Sequence, residues 1–280
     1  QLPPMLATLH DHEQRLVTGE RLAAIIRTSA WLELAATAEL DAAANDLTVS
    51  VVMATFNRAP LVRRAVSTVV AQSYPRWELV IGDDGSDDDT PKVLTELAGG
   101  DDRIRWFHYE HAGITSVRNR LLAEARGEVV VYLDDDNLMA PNWLRAVAWC
   151  FATRPDVDVA YGARLVDNPE RLWGGLHAGS TLPGVHFDGY DRAALERGNL
   201  VDVGCLAHRR LLPQARFDEG FERLDDWDLI LRLTADRPPF ELPALAICYF
   251  TDASDRLSDV VDEDVYRARI IAKLDQSRRR

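Results

Sequence analysis

The sequence predicts an α/β protein with a doubly wound, mostly parallel sheet, helices on both faces and an N-terminal helical extension. Three observations predict it. Strand-length apolar runs and amphipathic helical stretches alternate four times in fewer than a hundred residues after Thr48. The run Val129 to Tyr132 is apolar without alternation, as in a strand buried on both faces. Acidic residues follow such runs at once, at Asp83 and again at Asp134, where parallel strands leave a sheet.

The elements can be justified in order. Residues from about Leu6 to Leu40 place Leu, Ile and Val at three- and four-residue spacings, predicting one or two amphipathic helices. This extension, residues 1–46, would pack on the main domain or on a second subunit, giving a homo-oligomer. The main domain spans 47–250. Val49 to Ala54 reads as its first strand, with Thr55, Phe56, Asn57 and Arg58 as the loop before a helix from about Pro60. Trp77 to Ile81 is a second strand, ending in the turn GDDGSDDDT, whose Asp and Ser residues are ordinary helix-capping types. Arg103 to Tyr109 gives a third strand, followed by a helix carrying Arg118 and Asn119 that Gly127 ends.

The strand beginning at Val129 delivers Asp134, Asp135 and Asp136 to the sheet edge. Adjacent like charges raise one another's pKa, a standing cost that a cation relieves. A helix from Pro141 and a strand Val157 to Tyr161 come next. Residues 162–200 lose the regular pattern and are rich in Gly, with Trp173, His177 and His186 among them; loops this long are functional or disordered. A strand Val201 to Ala207, an acidic-headed helix Asp225 to Thr234 and a strand Phe240 to Phe250 complete the domain. Residues 251–280 form a tail, read as a helix ending in a basic cluster.

Composition narrows the function classes. With 47% hydrophobic and 28% charged residues the chain is a soluble globular type. No apolar run approaches the roughly 18 residues needed for a membrane span, and no signal-peptide core opens the chain. This points to a cytoplasmic protein, peripheral to a membrane if its substrate is lipid-linked. The formal charge of −13 argues against a nucleic-acid partner. Cys150, Cys205 and Cys248 fit neither a zinc pattern nor a disulfide framework, and read as buried reduced thiols. The first residue is Gln1, consistent with an N-terminus that is processed, trimmed or internal to a longer chain.

Four segments together, VSVVMATFNR, WELVIGDDGSDDDT, GITSVRNRLLAEARGEVVVYLDDDN and FDEGFERLDDWDLILRL, resemble the inverting, metal-dependent glycosyltransferases of family 2, which have the GT-A fold. The resemblance covers about Thr48 to Thr234 and leaves out the N-terminal helices and the tail. It implies a nucleotide-diphosphate sugar donor, a UDP-sugar by family frequency, and a glycan, lipid-linked or small-molecule acceptor. It also implies a divalent cofactor, Mn²⁺ or Mg²⁺.

Carried onto this chain, the resemblance places Ala54, Thr55 and Asn57 near the base and ribose, with Asp84 and Asp83 accepting hydrogen bonds from the base. Arg118 would approach the nucleotide, its alternative being a salt bridge to nearby acids. Asp134 and Asp136 occupy the outer places of the DXD motif, with Asp135 between them. Asp136 would contact the metal directly, and Asp134 the ribose or the metal. In LDDWDL, Asp226 takes the place of the catalytic base and Asp225 stands where Glu is commoner. Asp228 would cap the helix or face solvent. Trp173, Trp227 and His177 are acceptor-side candidates, and Asp252 and Asp255 candidate third metal ligands. His208 reads as structural or near an anionic acceptor.

Competing readings each lack a feature. A nucleotidyltransferase would carry a Gly-rich basic loop after the first strand, which ATFNRAP is not. A dinucleotide-dependent oxidoreductase needs GxGxxG there. A non-catalytic nucleotide-sugar-binding or scaffolding homologue would be expected to lose the base or the DXD acids, and both are present.

Overall fold

A computed structural model describes residues 46–167, 184–250 and 263–278. The N-terminal extension, Trp173, His177, Asp252 and Asp255 lie outside the described residues.

The first half follows the predicted alternation: β1 (Val49–Thr55), α1 (Ala59–Val70), β2 (Trp77–Asp83), α2 (Thr90–Gly100), β3 (Ile104–His108), α3 (Ile114–Glu124) and β4 (Val129–Tyr132). The order β3-β2-β1-β4 is parallel throughout, with Val51 opposite both Leu79 and Val131. Every residue of β2 and β4 is buried, which explains the unbroken apolar character of β4; in β2 the buried Glu78 is held by Ser50 and Arg105. Helix α1 begins at a Pro-containing first turn and buries Val62, Ala65, Val66 and Val69, the spacing of one helical face. Helix α3 packs on β1 and β2. It approaches closely because Gly82 has no side chain: a Cβ there would lie 2.4 Å from Val117.

The second half, β5 (Leu138–Met139), α4 (Trp143–Thr153), β6 (Val159–Asp167), β7 (Gly184–His186), α5 (Arg192–Leu195), β8 (Leu206–Arg209), α6 (Asp225–Leu233) and β9 (Phe240–Phe250), extends the sheet as β4-β8-β6-β9-β5. Here β8 runs antiparallel to β4 and β6, whereas β6 and β9 are parallel. Strand β6 runs on through Gly162 to Asp167, where the sequence pattern suggests loop. Gly162 is needed because a Cβ would stand 2.6 Å from the buried Trp143 ring, and the register with β9 shifts beside it. The predicted strand from Val201 instead opens as a 3₁₀ turn, Val203–Cys205, because the Asp202 carboxylate accepts the Gly204 N–H at 2.9 Å.

Helix α7 (Glu263–Arg278) lies against the α6 region. It buries Ile270, and Lys273 reaches Asp218 at 2.8 Å and Asp228. Cys150 and Cys205 are buried and Cys248 is half-buried.

Candidate active site

Parallel pairing of β1, β2 and β4 brings three carboxyl ends to one edge of the sheet, where ligands bind in open α/β folds. Thr55 ends β1 opposite Asp83, and Leu133 donates its N–H to Val52 at 3.1 Å, which carries Asp134 to Asp136 out beside them. Thr55 Oγ1 donates to the Asp135 carboxylate at 2.6 Å. The loop after β1 is tied to the acidic turn after β2: the Asn57 side-chain oxygen accepts the N–H of Asp87 at 2.9 Å, and its own N–H donates to Ser86 Oγ at 2.8 Å. These bonds hold Asn57 in the left-handed region at φ 54°, which Asn tolerates better than most residues.

The acidic turn is itself firmly held. Asp84 accepts the N–H groups of Ala112 at 2.8 Å and Gly113 at 3.0 Å, fixing the entry to α3. Asp83 is fully buried and accepts from Ser86 and from His108 Nδ1 at 2.8 Å. The expectation that Asp83 contacts a base is therefore corrected: no surface of its side chain is open to a ligand, and it shapes the loop instead. Asp88 accepts the Thr90 N–H at 2.8 Å, as a capping residue of α2 would.

Arg118 links the two ends of the site. From α3 it donates to Asp134 at 2.6 Å and to Asp225, at the head of α6, at 2.5 Å. Its side chain is only 5% exposed. Burial works against its charge, but Asp225 and Asp134 prevail and hold the guanidinium protonated beyond its ordinary range. Of the two alternatives for Arg118, the salt bridge to nearby acids is the one observed.

Helix α6 starts from Leu224, a non-glycine residue at φ 59°, so local strain is concentrated where the two acids emerge. Asp225 is buried against Arg118. Asp226 is half-buried and accepts the Trp227 N–H at 2.8 Å and the Asn199 amide at 2.8 Å. Burial, then the negative charges of Asp225 and Asp202, push its carboxyl up to about 7. Asp228 neither caps nor faces solvent, contrary to expectation. It is 3% exposed and held by Arg232 and Lys273, because α7 covers that side of α6. Trp227 is likewise corrected: at 1% exposure, with its indole N–H donating to the Leu195 carbonyl at 2.6 Å, it is a core residue and no stacking surface.

Asn199, Asp202 and Arg164 were not legible as site residues in the sequence. Asn199 comes from the irregular stretch, Asp202 from the head of the 3₁₀ turn and Arg164 from β6. Arg164 faces Asp202 at 3.5 Å, and Asp202 lies near enough to Asp226 to raise its pKa.

The acidic edge suits a hard divalent cation. Burial, then Asp136 and Asp134, push the Asp135 carboxyl up to about 7, so the trio carries a charge cost that a cation relieves. Among the described residues no three His, Cys, Asp or Glu side chains close round one point. Mg²⁺-type ions take one or two carboxylates and draw other ligands from substrate phosphates and water.

The sheet order and acid-lined edge define a GT-A type α/β protein, and solved structures agree on the fold. Staphylococcus aureus TarS residues 1–349 with UDP-GlcNAc aligns with a TM-score of 0.62 at 16% identity, covering 81% of this chain and 71% of that one. A mannosyltransferase from Pyrobaculum calidifontis, in complex with GDP-Man and Mn²⁺, aligns with a TM-score of 0.53 at 20% identity, covering 84% and 70%. The chain belongs to glycosyl transferase family 2, whose pattern it matches over residues 50–213, more than half its length. Among relatives, the putative colanic acid biosynthesis glycosyl transferase WcaA of Escherichia coli is 28% identical over 196 residues, 69% of this chain and 68% of that protein. Another curated relative, 31% identical, is spanned over only 20% of its length. Among the described residues no helix is long and apolar enough to cross a membrane.

Proposed function

We propose that the chain is an inverting glycosyltransferase, moving a sugar from a nucleotide-diphosphate donor to an acceptor hydroxyl in a single displacement with Asp226 as general base. The observation that carries this is the half-buried Asp226 carboxyl, pushed up to about 7 and tied through Asp225 and Arg118 to the acidic edge at Asp134. A base poised near neutral pH takes a proton most effectively there. As the acceptor oxygen bonds to the anomeric carbon, its proton passes to Asp226. The bond from that carbon to the diphosphate oxygen breaks, and the nucleoside diphosphate leaves with the electron pair.

Ala54, Thr55, Asn57 and Asp84 would line the nucleoside end. Asp84 Oδ2 takes the Gly113 N–H and also lies 3.0 Å from His111 Nδ1, so reading a base edge would use the remaining acceptor position of Oδ1. Asp136 and Asp134 would hold Mn²⁺ or Mg²⁺, with Asp135 braced by Thr55. The ion would supply Lewis-acid stabilisation of charge on the departing phosphates. The Mn²⁺ in the Pyrobaculum calidifontis complex supports a divalent ion, and the UDP-GlcNAc and GDP-Man in the two neighbours support a nucleotide-sugar donor. The acceptor would be a glycan, a lipid-linked sugar or a small molecule. The N-terminal 46 residues would form a helical extension, a site for self-association, on a catalytic domain of residues 47–250 with the 251–280 tail beyond.

The test is a thermal-shift screen against UDP, GDP, dTDP and CDP, each with Mn²⁺, Mg²⁺ or chelator. A nucleotide at 100 times its dissociation constant adds about 2.7 kcal/mol. Stabilisation that requires metal and disappears in Asp136→Ala is expected. Asp226→Asn should keep that stabilisation and lose sugar transfer from the matching nucleotide sugar; undiminished transfer would remove Asp226 as the base.

A further inference from the structure

We infer that Asn199 is a positioning residue for Asp226, fixing the orientation of its carboxylate from the solvent side of the site. This deepens the proposed function and rests on Asp226 being the base. Asn199 follows the short helix α5 and is exposed. Its side-chain oxygen accepts the Val201 N–H at 3.2 Å, which turns the amide so that Nδ2 points at Asp226 and donates at 2.8 Å.

The two Asp226 oxygens are therefore held by different elements. One takes the Trp227 N–H of its own helix, the other the Asn199 amide from a segment 27 residues away in sequence. Rotation of the carboxylate would break both bonds. One acceptor position per oxygen is left, which is where an incoming hydroxyl proton can go. The segment bearing Asn199 is anchored independently of that bond: the Leu195 carbonyl receives the Trp227 indole N–H, and Arg267 of α7 donates to the Arg197 carbonyl at 3.2 Å.

Chemically, Asn199 can do what the surrounding charges do not. Asp225 and Asp202 disfavour the ionised carboxylate, while Arg118 and Arg164 favour it through space without bonding to it. Among the described residues Asn199 supplies the side-chain N–H that bonds Asp226 directly, and as a neutral donor it favours the ionised form without neutralising it.

The test reads Asp226 itself, without any substrate. Carboxyl ¹³C NMR of the full chain gives the titration midpoint of Asp226, its resonance identified by its loss in Asp226→Asn. In Asn199→Leu, which keeps the size and removes the donor, the midpoint should rise by about one unit, a tenfold change in acid dissociation. Asn199→Asp, which adds a like charge, should raise it further. If Asn199→Leu fails to fold, Asn199→Ala gives the same reading, since the side chain it removes is exposed. A midpoint unchanged in a folded donor-less variant overturns the inference. The proposed base fails on different evidence, transfer by Asp226→Asn, so the two failures are distinguishable.

Discussion

The guanidinium of Arg118 donates to the carboxylate of Asp225 at 2.5 Å across 107 residues of sequence, joining the third helix of the sheet's parallel half to the helix that carries the proposed base. The same group holds Asp134 at 2.6 Å. Removing one partner of a buried ionic set costs about 3–5 kcal/mol, because the remaining charges stay buried and unpaired. Arg118→Ala should reach that range, measured as the loss of unfolding free energy in urea at pH 7.5. Arg118→Lys keeps the charge but loses the two-pronged geometry, so it should recover only part of the loss. A full recovery would mean that charge alone matters here.

Gly82 lets α3 lie directly on β2. Gly82→Ala would press a Cβ into Val117, a contact of 2.4 Å that real side chains do not show. Overpacking of this kind costs about 1–3 kcal/mol. Val117→Ala removes the nearest atom, so adding it to Gly82→Ala should restore part of the stability that Gly82→Ala loses. Simple additivity in the double variant would place the strain elsewhere.

The parallel half was readable because its signals are local: apolar runs, a Pro at a first helical turn and acids at the strand ends, although α3 ends at Glu124, before Gly127. The second half is governed by contacts between distant residues. Gly162 looks like the start of a loop, yet it sits inside β6 because Trp143 fills the space a side chain would need. The motif marked Asp226 as a candidate base, whereas Asn199, a lone polar residue in an irregular stretch, becomes a candidate only once α6 stands beside it. Asp83 and Trp227 show the converse. Their residue types suit a binding role, but burial commits one to a loop and the other to the core.

Lys273 of α7 and Asp228 of α6 couple the last described helix to the one bearing Asp226. Asp228 is 4% exposed at its side chain and Lys273 is 37% exposed, so solvent screens part of the pair. Arg232 also holds Asp228 at 2.8 Å, which limits the damage when Lys273 is lost. Lys273→Met should cost about 1 kcal/mol, and a cycle with Asp228→Asn should give a coupling of about 0.5 kcal/mol or more. Zero coupling would show that α7 is held by its other contacts, Ile270, Arg267 and Arg269 among them.

Tyr132 and His208 give the fold a defined acid sensitivity. His208 is fully buried, and the Arg209 carbonyl at 2.8 Å from Nδ1 can only accept, so Nδ1 carries the proton. Nε2 is then the acceptor for the Tyr132 hydroxyl at 2.7 Å. Burial pushes the His208 pKa down to about 4, whereas an unfolded His titrates near about 6.5. Between those values the unfolded chain binds a proton that the folded one does not. The contribution is therefore complete above about pH 6.5 and is lost as pH falls towards 4. From pH 7 to pH 5 this single residue should remove about 2 kcal/mol. His208→Phe alone would leave the Tyr132 hydroxyl without its partner, so the informative variant is Tyr132→Phe with His208→Phe, in which both polar groups are gone. Urea unfolding of the double variant at the two pH values should show a decline smaller than that of the parent by that amount. Because the shifted carboxyls, Asp226 included, are common to both proteins, they cancel in the comparison, and equal declines would assign the acid sensitivity to groups other than His208.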